Sequence, residues 1–251
     1  MITFISPAKN MKPITTPYPL SLPTFCAEAQ ELLDILKQYN DEDIMNIMKV
    51  NAKLALQNQA RFAQIRFDGN GSAALFSYVG LAFQAMHIET WSDQAIQFAQ
   101  EHLRILSGFY GVNKPLDSIY PYRLEMQAKG LSQRIDNLYS YWSDALMREL
   151  RRDCHDGIYI NLASKEYAQA ILPYLNHEER CIHIDFQVVK AGKRQTLATH
   201  AKMARGAMSA YIMNQQMDTP EQLKSFQANG WCYDEQHSDT NHYVFVKYLA
   251  S

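Results

Sequence analysis

Apolar positions along the chain recur at two spacings, and their alternation predicts interleaved strands and helices. The run Ile2-Thr3-Phe4-Ile5, stopped by Ser6-Pro7, predicts a short buried strand feeding a loop that carries Lys9. Pro13, Pro17, Pro19 and Pro23 predict an extended connector. A helix bearing Leu32, Leu33, Ile35 and Leu36 follows. Asp41 is the predicted N-cap of a helix with Ile44, Ile47 and Met48, and the next helix carries Leu54, Ala55 and Phe62. Asp68-Gly69-Asn70-Gly71 breaks the pattern ahead of an apolar stretch from Leu75 to Met86. Ser92 is the predicted cap of a helix through Ile96, Ala99, Leu103 and Leu106 that ends at Ser107-Gly108.

The second half reads the same way. One amphipathic helix is predicted over 137–152, then a strand from Ile158 to Leu162, with Ser164 capping the next helix. Ile182 to Val189 has strand character, and Ala191-Gly192-Lys193 turns it into a return strand reaching about Thr199. A helix over Lys202–Met217 and a closing strand over Tyr243–Tyr248 complete the pattern. Internal repeats and linkers are missing. The expected fold class is mixed α/β (α+β), a single compact domain over 1–251 with a mixed sheet and surrounding helices.

Composition narrows the function. Hydrophobic residues are 47% and charged residues 20%, enough for a sizeable core and unlike a disordered chain or coiled coil. Lys and Arg number 24 against 26 Asp and Glu, a net charge of -2. That excludes a small, strongly basic nucleic-acid binder, so any contact with nucleic acid must use a local patch. No apolar run approaches the roughly 18 residues of a membrane span, so no membrane partner is expected. No signal peptide is visible. Cys26, Cys154, Cys181 and Cys232 form no C-x-x-C pair and are expected as free thiols in a reducing compartment. The expected location is cytoplasmic.

Four segments carry candidate chemistry. In His102–Asp117, Gly108 and Gly111 bracket Phe109-Tyr110, a pattern that permits a tight hairpin with exposed backbone N–H groups. Such a turn can approach a DNA phosphate, with Arg104 and Lys114 adding charge; an ordinary glycine cap and loop accounts for the same residues. In Pro121–Met126, Arg123 and Glu125 share a face if the segment is extended. They read either as an anion-binding Arg beside an acid/base carboxylate or as a structural ion pair. Phe186–Met217 holds Lys190, Lys193, Arg194, Lys202 and Arg205 and no acid. Lys202 and Arg205 share a helix face beside Gly206, which suits either phosphate binding or a solvated surface. Ser164 and Lys165, at a predicted strand-to-helix passage, suit an anion or simple capping, and Lys9 faces the same crevice if the two strands are neighbours.

Metal and cofactor signals are weak. His183 and Asp185 offer two ligands without a third, and no dinucleotide, P-loop or nucleophile-elbow motif is present, so neither metal nor cofactor is expected. Ser6 or Ser164 as a nucleophile lacks a base.

In order along the chain, Ile5-Ser-Pro-Ala-Lys9, His102–Val112, Pro115-Leu-Asp117, Pro121–Met126, Tyr141-Trp142, Asn161–Ser164 with Glu166-Tyr167, and Lys202–Met208 resemble the YaaA family of bacterial peroxide-stress proteins. The resemblance implies a mixed α/β domain with a helix-hairpin-helix-like element, a positive cleft and binding of duplex or distorted DNA without sequence preference. It also implies survival of peroxide by limiting iron-dependent damage. Gly108, Tyr110 and Gly111 would fall on the hairpin; Lys9, Arg123, Lys165, Lys202 and Arg205 would fall at or beside motif positions, with Glu125 as the polar candidate. The alternative is an enzyme acting on a nucleotide, or on a base in DNA, in the same cleft. The chain departs from the family pattern where a Lys-Gly-Asp-Val-Tyr run reads Val79-Gly80-Leu81-Ala82-Phe83, at Asn10, and at Phe226–Trp231.

Overall fold

The computed structural model describes residues 1–249; of the domain expected over 1–251, the last two residues lie outside the described ones. The first apolar run becomes β1 (Ile2–Ile5), buried at every position. β2 (Asn10–Met11) follows the loop. After the proline-rich stretch, α1 (Cys26–Leu36) buries Ala29, Leu32, Leu33 and Leu36, the spacing of one helix face. α2 (Asp41–Met48) is capped one residue earlier than expected. The Asn40 side chain accepts the Asp43 N–H, and Asp43 accepts the Asn40 N–H in return, a capping box. α3 (Ala52–Gln64) leads across the Asp68–Gly71 break to β3 (Ser72–Ala73), α4 (Ala74–Ser77), β4 (Tyr78–Val79) and α5 (Leu81–Met86).

α6 (Asp93–His102) starts at Ser92, whose hydroxyl accepts the Ala95 N–H as expected. It ends at His102, because Leu103–Ser107 forms strand β5 rather than two more helical turns. All five residues of β5 are buried, and an apolar run buried on both faces has no period that separates strand from helix. Gly108 to Tyr110 then turns β5 into β6 (Gly111–Asn113). The glycine hairpin therefore joins two antiparallel strands of the sheet, not two helices. β7 (Ser118–Ile119) pairs with β3. The helix expected over 137–152 is two, α7 (Leu138–Trp142) and α8 (Ala145–Asp153), broken at Ser143 with φ 45°. The remaining elements are β8 (Ile158–Leu162), α9 (Lys165–Ala168), β9 (Arg180–Lys190), β10 (Lys193–Gln195), α10 (Ala198–Asn214), β11 (Cys232–Tyr233) and β12 (His242–Tyr248). The return strand stops at Gln195 because α10 begins earlier than predicted.

The main sheet runs β11-β12-β9-β8-β1-β5-β6, with β10 on β9. β12, β9, β8, β1 and β5 are mutually parallel, and β6, β10 and β11 are antiparallel to their neighbours. The expected mixed α/β sheet is thus present. The chain first adds β5 on one side of β1, then crosses back to lay β8 on the other side. Connections leaving β1 and β8 diverge, and such a switch point opens a crevice at the carboxyl ends of the strands. A contiguous core surrounds the sheet. Among the described residues, no helix is long and apolar enough to cross a membrane.

Candidate functional site

The crevice at the ends of β1 and β8 is built from their loops outward. The register pairs Ile5 with Leu162, so the segments that follow leave side by side. The Ser6 hydroxyl accepts the Ser164 N–H at 2.8 Å and donates to Ser164 Oγ at 3.1 Å. Asn161 holds the same turn by accepting the Ala163 N–H at 2.9 Å. Ser164 is the N-cap residue of α9, but α9 is one turn long and Ser6 already takes that N–H. The serine pair ties the two loops together and leaves the Ser164 N–H already paired.

Three further segments close a cleft of about 600 Å³. The extended stretch Tyr122–Glu125 forms one wall and Val79–Phe83 a second, largely apolar one. Lys202 and Arg205 enter from α10. That placement depends on Gly206. A Cβ there would sit 1.9 Å from the Ala82 carbonyl oxygen, so only glycine lets α10 lie against α5. The backbone admitted by Gly206 is that of α5, not a phosphate.

Lys9, Arg123, Lys165, Lys202 and Arg205 line this cleft with only Glu125 and Glu166 as acids. Five cations gather here in a chain of net charge -2. Lys9 Nζ lies 2.9 Å from Glu125 Oε1, and an Arg123 Nη lies 3.0 Å from the same oxygen. Burial pushes the Glu125 carboxyl up, but the hydrogen bond and charge of Lys9, followed by those of Arg123, outweigh it and hold the group below the usual range. Glu166 goes the other way. Burial raises its carboxyl, the Gln127 N–H partly offsets this, and the nearby Glu125 charge raises it again.

Lys165, Lys202 and Arg205 form no ion pair among the described residues. The Arg205 Nε is buried without a hydrogen-bond partner, and burial pulls the guanidinium below its ordinary value despite the charge of Asp185. The Arg123 Nε is likewise buried and unpartnered. Unpaired donors of this kind are costly unless something else pairs with them.

The other predicted site residues lie elsewhere. Arg104 is 1% exposed; its guanidinium binds Asp153 at 2.5 Å and the carbonyls of Gln100, Glu101 and Leu103. Lys114 reaches the same Asp153 carboxylate at 3.0 Å. Tyr110 is fully buried and its hydroxyl accepts the Tyr120 N–H. Gly108 faces the backbone of the cleft wall, where a Cβ would stand 2.5 Å from the Leu124 carbonyl oxygen. Gly111 has φ +74° and is packed by Phe25, Leu146 and Trp142. Of these, Gly108 and Tyr110 pack against the wall itself, Gly108 on the Leu124–Met126 backbone and Tyr110 edge-on to Tyr122 with ring centroids 5.2 Å apart.

Several cleft residues escaped the sequence reading. Glu166 belongs to a matched motif but carries no site role in the sequence, where it stands between Lys165 and the buried Tyr167. Tyr122 joins a buried hydroxyl chain: the Ser107 Oγ accepts the N–H groups of Phe109 and Tyr110, so its proton points to the Tyr122 oxygen 2.6 Å away. Burial pushes Tyr122 up to about 12. His183 and Asp185 do not converge on one point: the His183 ring meets Asn161 at 2.9 Å, and Asp185 meets His242 at 3.3 Å.

The fold and site define a class: a mixed α/β domain with a cation-lined cleft at the switch point of its parallel strands. Within that class the chain belongs to the peroxide stress protein YaaA family, whose model matches residues 1–237. It is 40% identical over 248 residues to a UPF0246 protein of Clostridioides difficile, covering 98% of this chain and 100% of that one. A UPF0246 protein of Ligilactobacillus salivarius matches to the same extent. One from Rickettsia conorii is 38% identical over 253 residues, covering 98% of this chain and all of the relative.

Proposed function

We propose that the cleft binds a nucleotide unit of DNA by its phosphate, and that this binding serves the family's peroxide-stress role by limiting iron-dependent oxidative damage to DNA. The observation that carries the reading is the half-buried, unpaired Arg205 beside Lys202, opposite an apolar wall. The cations suit a phosphate, the wall of Val79, Leu81 and Phe83 suits a sugar or base, and the volume suits one unit better than a long duplex. The sequence carries no recognisable base-reading module, so affinity is expected to be insensitive to sequence. Access to a nucleotide inside a cleft requires it to be unpaired or extruded. Binding should therefore be stronger for single-stranded or bubble DNA than for intact duplex. A competition assay among the three tests this; equal or preferred binding of intact duplex would contradict it.

A second reading, chemistry on the bound nucleotide or its base, is favoured by one feature. Glu125 and Glu166 share the cleft and are pushed in opposite directions, the arrangement that separates a fixed anion from a proton donor. Product analysis of an oligonucleotide incubated with the parent and with Glu166→Gln tests it. Conversion lost in the variant supports it, and an unaltered oligonucleotide with the parent refutes it.

A further inference from the structure

Behind the Arg123 wall lies a second, smaller cavity of about 310 Å³, lined among others by Arg61, Gln64, Ser72, Tyr120 and Pro121. Pro121 borders this cavity and Tyr122 and Arg123 border the main cleft, so one extended segment separates the two. Arg61 and Gln64 stand three residues apart on α3 and share a face. Arg61 is half-buried, and its guanidinium has no ion pair or hydrogen bond among the described residues. The acid nearest by connectivity, Asp68, is engaged by the Tyr120 hydroxyl at 3.1 Å and the Asn70 N–H at 3.0 Å. Burial, and after it the charge of Arg123, pull Arg61 below its ordinary value. Arg61 thus lines this cavity within electrostatic reach of Arg123 on the far side of the segment, and both keep donors left over, since the Arg123 Nε is also unpartnered. Like charges held close in a partly dry setting are unfavourable, and an anion between or beside them removes the penalty.

We propose that the Arg61 cavity is a second phosphate subsite, taking the phosphodiester next to the nucleotide unit held in the main cleft. The ligand class is then an oligonucleotide rather than a free mononucleotide, a conclusion that rests on the proposed nucleotide reading of the main cleft. Gln64 supplies an amide donor beside Arg61, and Tyr120 a ring edge. The apolar members of the lining, Met11, Pro13 and Ile119, make the cavity too dry for a hydrated cation to be its natural occupant. Because Arg61 has no protein partner, its removal strands no buried carboxylate, and the fold should tolerate the change.

Calorimetric titration with dTMP and with the 5′-phosphorylated dinucleotide pdTpdT tests the proposal. The parent should bind pdTpdT about tenfold more tightly than dTMP, the worth of one charge-assisted phosphate contact. Arg61→Gln should collapse that ratio to about twofold or less while leaving dTMP affinity unchanged, and Arg61→Lys should restore part of it. A ratio unchanged in Arg61→Gln overturns the subsite and leaves the main cleft standing. Affinity for both ligands unchanged in Lys202→Ala/Arg205→Ala overturns the main-cleft reading, and absence of binding by the parent overturns both.

Discussion

The Ser6 hydroxyl accepts the backbone N–H of Ser164 at 2.8 Å, tying the end of β1 to the end of β8 across 158 residues of sequence. This bond spans the switch point of the sheet and sets the spacing of the loops that carry Lys9 and Lys165. Ser6→Ala leaves that N–H without its partner in a part-buried turn, at a cost of about 1 to 3 kcal/mol. The expected thermal midpoint falls by about 2–4 °C for each kcal/mol in a chain of this size. Oligonucleotide affinity should fall as well, because the loops lose their register. Calorimetry and a binding titration on the variant check both effects; an unchanged midpoint would mean that the serine bridge contributes nothing.

The sequence marks Arg104 as a candidate phosphate contact, and the structure buries it against Asp153. Arg104→Ala would leave Asp153 beside Lys114 alone and take the Arg104 donor from three backbone carbonyls. Removing one partner of such a buried pair costs about 3 to 5 kcal/mol. Denaturant unfolding should show that loss, while DNA affinity of the folded fraction stays near the parent's. A variant of parental stability with selectively weakened DNA binding would restore the original assignment.

Gly206 holds two elements of the cleft together. Gly206→Ala drives a methyl group into the Ala82 carbonyl and forces α5 away from α10. Overpacking of this kind costs about 1 to 3 kcal/mol or more. Because α5 supplies the apolar wall and α10 supplies Lys202 and Arg205, stability and binding should fall together. Alanine tolerated without loss of either would contradict the packing described.

The two cleft carboxylates predict a pH dependence. Glu125 is held below the ordinary carboxylate range, so it stays ionised as pH falls towards 5 and its stabilisation is lost only at lower pH, on passing through its folded value. Glu166 is raised, so it takes up a proton at a higher pH than an ordinary glutamate. The cleft then loses one negative charge and binds anions more tightly. Affinity for a phosphodiester oligonucleotide, whose own charge is constant over this range, should rise as pH falls through the raised Glu166 value. The rise should be flatter in Glu166→Gln. No histidine lines the cleft among the described residues to supply the same trend. Parallel profiles for the two proteins would contradict the role given to Glu166.

Local spacing made much of the fold legible. Ser92, the face of α1 and the Ala191-Gly192 turn all follow from it. It failed where an element is buried on both faces. Leu103–Leu106 carries no period that tells strand from helix, and the error spread into the site: with a strand there, the glycine pair became a sheet hairpin inside the core. The cleft residues Lys9, Arg123, Glu125, Ser164, Lys165, Lys202 and Arg205 are legible as residue types, and the family resemblance implies one positive cleft for them, but spacing along the chain alone does not show their convergence. It depends on β8 crossing back to lie beside β1, a long-range choice that no local window records. Glu166, present in a matched motif but given no site role, and Arg61 escape for a related reason. A single charged residue on a short helix or helix face reads as solvated surface until the fold brings a like charge or a wall against it.

In the proposed reading, Lys202 and Arg205 bind phosphate in the cleft. It is tested by the affinity of the parent and of Lys202→Ala/Arg205→Ala for a single-stranded oligonucleotide across a series of salt concentrations. Loss of two phosphate contacts should lower affinity by more than tenfold and reduce the slope of log K against log salt by about 1.4, at about 0.7 per contact on a single strand. Unchanged affinity and an unchanged slope would place the nucleic-acid site elsewhere on the molecule, or show that it has none.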